Sequence, residues 1–502
     1  MKAETLSRST AAKRNIVIAV LYQVTAAVCG LILPRYMLTA FGSEANGVIQ
    51  SISQLLNYAT LFGFGIGGMI TASFYKPLAF GDEKAVSDIY NNAKNFFGGL
   101  SYVFAAFVVV ICLISKLVIR TDFDFAYVAA LALILGTGQY LSSYVALAPS
   151  LLLKADQKLY VFQSVQIITH ILNTIVCVLI INLGSGIHLV KLASAAVYLL
   201  HPVVFYLYIR KHYNISKTIF DKNRRLPHKS DGMAHHIAYF IHNNTDIVIL
   251  GIFCGAKEVS VYSIYYSVII LAENFLEAVS AGISGAVGNI IAKRQEETLH
   301  SVFNTYSSVN IAVSTFFCTA AAVLVIPFVS VYTDGVTDIN YIRPVFACLM
   351  LLSLWVYCLR IPFLNVISAA GHYRQTKPGA FMEMFINLGL SLMLVGRFGL
   401  CGAAFGTLAA ITARLVYSAV YLSRHLIENE VMTLLKKAAV NFAAGAVFAS
   451  AAITLFDFAP SDITEWFMIA VPVGAASLAF IAGVNCILNK KLVAEVLKKN
   501  RK

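Results

Sequence analysis

Residues 41–52 read FGSEANGVIQSI and residues 254–265 read CGAKEVSVYSIY, with Gly42 over Gly255 and Val48 over Val261 at an offset of 213. The same offset lays 82–91, DEKAVSDIYN, over 295–304, QEETLHSVFN, matching Glu83 with Glu296 and Asn91 with Asn304. It also lays 186–195, GIHLVKLASA, over 399–408, GLCGAAFGTL. Each match is short, but three separate regions share one register. The chain therefore reads as a duplication of one structural unit.

What is duplicated is a set of apolar segments. A membrane-crossing helix needs about 20 predominantly apolar residues. Candidates lie near 15–33, 47–73, 95–118, 125–149, 159–183, 189–209, 235–254, 259–284, 302–331, 345–367, 378–396, 402–422, 438–456 and 466–488. The offset makes the first six correspond to the seventh to twelfth, in the same orientation. Parallel repeats of this kind are related by an axis along the membrane normal, and transporters built from them place their site near mid-membrane between the halves. The expected fold is thus an all-α polytopic membrane protein of about fourteen transmembrane helices: two pseudo-symmetric six-helix lobes and two C-terminal helices. In residues, 1–209 is the N-lobe, 210–234 a basic cytoplasmic linker, and 235–423 the C-lobe. Residues 424–502 supply two further spans and a basic tail.

Composition agrees. Hydrophobic residues are 59% of 502 and charged ones 13%, with mean hydropathy +0.75, against about 25% charged in soluble chains. The first apolar run lacks a small-residue cleavage motif, so it reads as a retained helix rather than a signal peptide. Lys and Arg fix the orientation. With both termini in the cytoplasm, inner segments hold 29 of the 38 basic residues and outer ones 7, including Lys191. The net charge of +13 therefore reflects topology and anionic headgroups, not nucleic acid. Nine cysteines all fall in apolar stretches without a CxxC pair, so neither a disulfide framework nor a metal site is indicated.

A charged residue near the centre of a span costs about 2.5–3.5 kcal/mol on insertion scales. Asp246, Glu273, Glu277, Arg360, Glu383 and Arg414 all lie within spans, and all in the second repeat. Such groups pair with one another or line a water-filled cavity, and they are site candidates. Glu273 and Glu277 share a helix face at a spacing of four, with Glu277 nearer its helix end. Internal pairing, such as Arg414 with Glu273, is the structural alternative, and Glu383 is placed to snorkel to the interface.

The first repeat offers neutral stripes instead. Gln163, Gln166, His170 and Asn173 recur at helical spacing in the fifth span, as do Gln50, Gln54, Asn57 and Tyr58 in the second. These suit sugar hydroxyls and inter-helix hydrogen bonds equally. His170 and His242 read as satisfied by neighbours. Arg35, after Pro34 at the outer end of the first span, is either an interfacial cation or an anion contact at a cavity mouth. Pro149, Pro202, Pro327, Pro362 and Pro472 interrupt spans, and GFGIGGM at 63–69 loosens the second. No P-loop, GxSxG or HExxH is present, and no loop is large enough for a nucleotide-sugar. No catalytic residue and no cofactor is expected.

LPRYMLTAFGSEANGVIQSISQLLNYATLFGFGIGGMITASFYKPLAFGD at 33–82 resembles the start of Wzx-type polysaccharide flippases of the MOP superfamily. NNTDIVILGIFCGAKEVSVYSIY at 243–265 resembles their seventh helix. The resemblance implies two six-helix lobes alternating between inward- and outward-open forms in the bacterial cytoplasmic membrane, as a monomer. It implies a substrate of undecaprenyl pyrophosphate carrying a short oligosaccharide, drawn from among membrane lipids. It implies a cationic cavity, for which Arg35, Arg360 and Arg414 are the matching anion contacts. Asp246, Glu273, Glu277, Gln163, Gln166 and Asn57 are then cavity polar groups, with the carboxylates open to H⁺ or Na⁺ coupling. A MATE-like multidrug or cation antiporter, and a lipid II flippase of the same superfamily, are the alternatives.

Overall fold

A computed structural model of the chain describes residues 8–63, 66–140, 146–216, 230–293, 295–427 and 431–490. These residues are helical, with no strand among them, and the chain divides into two compact units. Unit 1 is Met1–Met233 with Gly255–Ser260, and unit 2 is Ala234–Cys254 with Val261–Lys502. Most of the predicted basic linker, 217–229, lies outside the described residues.

Unit 1 holds α1 (Arg8–Asn57), a 3-10 turn (Tyr58–Gly63), α2 (Ile66–Phe80), α3 (Glu83–Val118), α4 (Phe125–Gln139), α5 (Leu147–Ala155), α6 (Leu159–Asn182), α7 (Ile187–Tyr198) and α8 (Leu200–His212). The first predicted span and the start of the second run together in α1, broken at Gly42, whose φ of 80° is left-handed and open to glycine without strain; the second predicted span continues through the 3-10 turn into α2. α1 packs on α6, α3 on α4, and α4 and α6 on α7. At one end of the unit the Tyr213 hydroxyl donates to Asp156 at 2.5 Å, and Lys158 Nζ lies 2.7 Å from the same carboxylate. Burial and that carboxylate push the Tyr213 phenol well above its ordinary value, which keeps it a donor.

Unit 2 holds α9 (Ser230–Phe253), α10 (Ala256–Ala292), α11 (Glu296–Tyr332), α12 (Pro344–Ala369), α13 (Tyr373–Phe398), α14 (Leu400–His425), α15 (Val431–Leu455) and α16 (Ile463–Leu488). α13 and α14 approach most closely where α14 carries glycines. A Cβ on Gly402 would stand 2.6 Å from Leu394 backbone atoms, and one on Gly406 would stand 2.3 Å from Ser391 Oγ. In lipid, where apolar burial between helices contributes little, such small-residue contacts hold helices together. The two C-terminal helices pack on α11. They are tied to each other by a reciprocal amide pair, Asn485 Nδ2 to Asn441 Oδ1 at 2.7 Å and Asn441 Nδ2 to Asn485 Oδ1 at 3.4 Å.

The offset of 213 recurs in the helix ends. Glu83 and Glu296 open α3 and α11, Ile187 and Leu400 open α7 and α14, and His212 and His425 close α8 and α14. Gly42 and Gly255 are both left-handed, at φ 80° and 89°. The packing partners recur as well: α11 lies on α12, and α12 and α13 lie on α14. The predicted spans fall on these helices, except that 47–73 crosses the 3-10 turn and 47–73 and 125–149 each include residues outside the described ones.

Among the described residues eleven segments are long and apolar enough to cross a membrane, and Phe125–Gln139 is a shorter apolar helix. The chain is a multi-pass membrane protein. α9 is not among the eleven because His235, His236, His242, Asn243, Asn244 and Asp246 dilute its apolar residues. The sixth predicted span is two helices, α7 and α8. Pro149 and Pro202 sit in the first turns of α5 and α8, where a missing N–H costs little, and the sixth predicted span breaks just before Pro202. Pro327, Pro362 and Pro472 do lie inside helices. Glu277 is not near a helix end, since α10 continues to Ala292.

Candidate functional site

Four helices of unit 2 converge on one carboxylate. Arg360 of α12 donates through Nη1 to Glu383 Oε1 on α13. Arg414 Nε on α14 lies 3.8 Å from Glu383 Oε2, and His242 Nε2 on α9 lies 3.6 Å from Oε1. All four are buried, with 2% exposure at Arg360 and 6% at Glu383. Arg414 also donates to the Thr376 carbonyl at 3.1 Å. The Arg360 guanidinium sits 4.7 Å from the Tyr357 ring centroid, and Tyr357 donates its hydroxyl to Glu277. Bidentate-capable guanidiniums sharing a carboxylate and stacking on an aromatic ring are what arginine, unlike lysine, does well. Arg360 Nε and His242 Nδ1 are buried without a hydrogen-bond partner.

Asp246, one turn from His242 on α9, forms a second knot. Its Oδ2 accepts from Thr407 at 2.6 Å and Tyr262 at 3.3 Å, and its Oδ1 accepts from Asn387 at 3.4 Å. Asn387 donates to Thr407 as well, at 2.9 Å. Three helices, α10, α13 and α14, thus supply hydroxyl and amide donors to this carboxylate. Hydrogen bonds to the charged form are what allow a buried carboxylate to exist.

Two sequence expectations are corrected by this geometry. Glu383 does not snorkel: it is buried, because two guanidiniums and an imidazole face it more closely than any interface could. Arg414 pairs with Glu383, not with Glu273. Glu273 is half-buried, with Glu277 and Arg360 as its charged neighbours. Asn387, Thr407 and Tyr262 escaped the sequence reading because neutral polar residues in apolar helices carry no signal of partner. Among the described residues no group of three or more His, Cys, Asp or Glu is arranged to hold a metal.

The other candidates belong to unit 1. Arg35 is half-buried on α1, and its carbonyl accepts from Thr39 at 3.0 Å. Gln163 and Gln166 are half-buried on α6, and Gln163 Oε1 has no partner. Asn57 Oδ1 accepts from Gln139 Nε2 at 3.1 Å. Gln139 in turn lines a cavity of about 240 Å³ with Ser53, Lys191, Ser194 and Tyr198. Lys191, counted from the sequence with the outer charges at the start of the sixth span, lies on α7, which starts at Ile187. A separate cavity of about 890 Å³ lies between α11, α12 and α15 of unit 2, and none of the charged cluster lines it.

No family model matches the chain, and no curated protein does. Solved structures match its fold. The lipid II flippase MurJ, in an inward closed conformation, superposes with TM-score 0.62 over 95% of this chain and 100% of its own, at 15% identity. An inward-facing multidrug resistance MATE family transporter of the MOP superfamily gives 0.56 over 85% and 99%, at 12% identity. A MATE transporter from Vibrio cholerae gives 0.52 over 85% and 99%, at 11% identity. This is the MOP transporter fold. Within the MOP fold, the match to the flippase runs over nearly the whole chain. The matches to the two MATE transporters leave out 15% of it.

Proposed function

We propose that the chain is a flippase that moves undecaprenyl-pyrophosphate-linked oligosaccharide across the bacterial cytoplasmic membrane by alternating access, for surface polysaccharide synthesis. The observation that carries the reading is the likeness of fold to a lipid II flippase over 95% of this chain and the whole of the other. A pyrophosphate-linked glycan cannot cross about 30 Å of hydrocarbon unaided, because its charges and hydroxyls must leave water. A carrier need supply no bond chemistry, only a hydrated polar path. In this reading Arg35, Arg360 and Arg414 give the path its cationic character, and Gln163, Gln166 and Asn57 meet sugar hydroxyls. Asp246, Glu273 and Glu277 are where an ion gradient, H⁺ or Na⁺, would couple.

Deleting the gene is expected to trap lipid-linked oligosaccharide in the inner leaflet and remove a surface polysaccharide, with drug tolerance unchanged. Intact surface glycan in a deletion strain that accumulates cationic dyes would overturn the reading in favour of a multidrug or cation antiporter. That second reading draws on the intramembrane carboxylates of unit 2. Loss of cell-wall synthesis rather than of a surface glycan would assign lipid II as the cargo.

A further inference from the structure

The cations of the two units are not in the same state. In unit 2, Arg360 and Arg414 already share the Glu383 carboxylate. In unit 1, Lys191 points into the cavity of about 240 Å³ between α1, α4 and α7, with Ser53, Gln139, Ser194 and Tyr198 among its lining. Among the described residues no carboxylate pairs with it; its titratable neighbours are the Cys177 thiol of α6 and the Tyr198 phenol that lines the same cavity. The sequence explains why. No Asp or Glu occurs in 125–155 or 159–212, which carry α4 to α8, and the one acid of α1, Glu44, accepts from Thr121 at 2.6 Å and from the Asp122 N–H. A half-buried lysine among apolar helices is costly, and such residues otherwise pair with a neighbour.

We infer that the Lys191 cavity is an anion subsite that receives a phosphate group of the cargo, with the Ser194 and Tyr198 hydroxyls lining the same space. The inference deepens the flippase reading and rests on it for the cargo. The counter-ion missing from unit 1 is then brought by the substrate, whereas unit 2 carries its own. Lysine suits this role because its ammonium is a compact charge on a flexible stem, able to follow a phosphate without a fixed fork geometry. A monophosphate and a diphosphate share the chemistry that Lys191 reads, so lipid headgroups and the cargo must be told apart by experiment.

The test uses the purified full chain in neutral-lipid nanodiscs, with thermal stability read against added geranylgeranyl diphosphate, geranylgeraniol, inorganic pyrophosphate and phosphatidylglycerol. A ligand that binds the folded state raises the midpoint in proportion to log concentration over Kd. Geranylgeranyl diphosphate is expected to stabilise and geranylgeraniol not. Lys191→Gln should weaken the diphosphate at least about tenfold, the order of one lost charge-assisted contact. Lys191→Arg should retain most of the binding, and Lys116→Gln, in the last turn of α3 and outside the cavity lining, should leave the binding unchanged. Ser194→Asp supplies in the protein the anion that the cavity lacks. It should raise the midpoint without ligand and abolish the response to diphosphate, a pair of effects that a merely structural lysine would not produce. Unchanged binding in Lys191→Gln overturns the inference, as does equal stabilisation by phosphatidylglycerol in wild type and Lys191→Gln. Binding lost in Lys191→Gln but surface glycan intact in the deletion strain rejects the cargo and keeps the site. Glycan lost with Lys191→Gln binding as wild type does the reverse.

Discussion

Glu383 holds one buried negative charge between two buried positive ones, so its removal should be felt before any question of transport arises. Taking one partner from a buried ion pair costs about 3–5 kcal/mol, because the remaining charge is left without compensation. Glu383→Gln is therefore expected to lower the thermal midpoint and the membrane abundance. The double variant Glu383→Met with Arg360→Met should recover part of the loss, since it removes both charges at once. Additive losses in a double-mutant cycle would show that the two side chains do not act as a pair. Gly379 makes a gentler test. A Cβ there would meet Arg414 Nη1 at 2.2 Å and the Tyr417 ring at 2.5 Å. Both are ends of flexible side chains, so Gly379→Ala should shift Arg414 off Glu383 with a smaller stability loss than Glu383→Gln.

At the scale of elements, the contacts that order the helices are backbone approaches and amide pairs. Gly402→Leu drives a side chain into the Leu394 backbone, which cannot move aside, and should prevent α13 and α14 from packing. Gly389→Leu on α13 has nothing within 4 Å of its Cβ and should be tolerated. Comparing membrane abundance of the two variants checks the assignment: equal loss would mean that the α13–α14 approach is not what the glycine protects. The Asn441–Asn485 pair joins α15 to α16, and replacing both by Leu should show a coupling of about 0.6–1.7 kcal/mol, the range for polar pairs between membrane helices. A coupling of zero would place the amides in water or lipid instead.

For the whole molecule, the split of basic residues, 29 to 7, predicts both termini in the cytoplasm. Single cysteines at Asp122 and Asp338, in a cysteine-free background, are expected to react with an impermeant maleimide in intact cells. A cysteine at Asn223, outside the described residues, is expected not to react. Labelling at Asn223 would invert the orientation and exchange the two sides of the proposed path.

The apolar runs and the offset of 213 were enough to place fourteen spans, because a membrane span must satisfy its own backbone hydrogen bonds and so writes its length into local composition. The Glu83–Glu296 and Gly42–Gly255 matches were legible for a related reason: helix starts and left-handed turns are local events with residue signatures. The intramembrane charges of the second repeat also stood out, since each is costly where it lies. Their pairing was not legible. Glu383 lies 23 positions from Arg360, 31 from Arg414 and 141 from His242, and only the packing of α9, α12, α13 and α14 decides that they meet. Lys191 shows the opposite failure. At the start of the sixth span it counts as an outer charge, and only the packing of α7 beside α1 and α4 shows that it lines a cavity within the unit. Sequence fixes what must leave water; which of those groups find each other depends on how helices distant in the chain come to lie side by side.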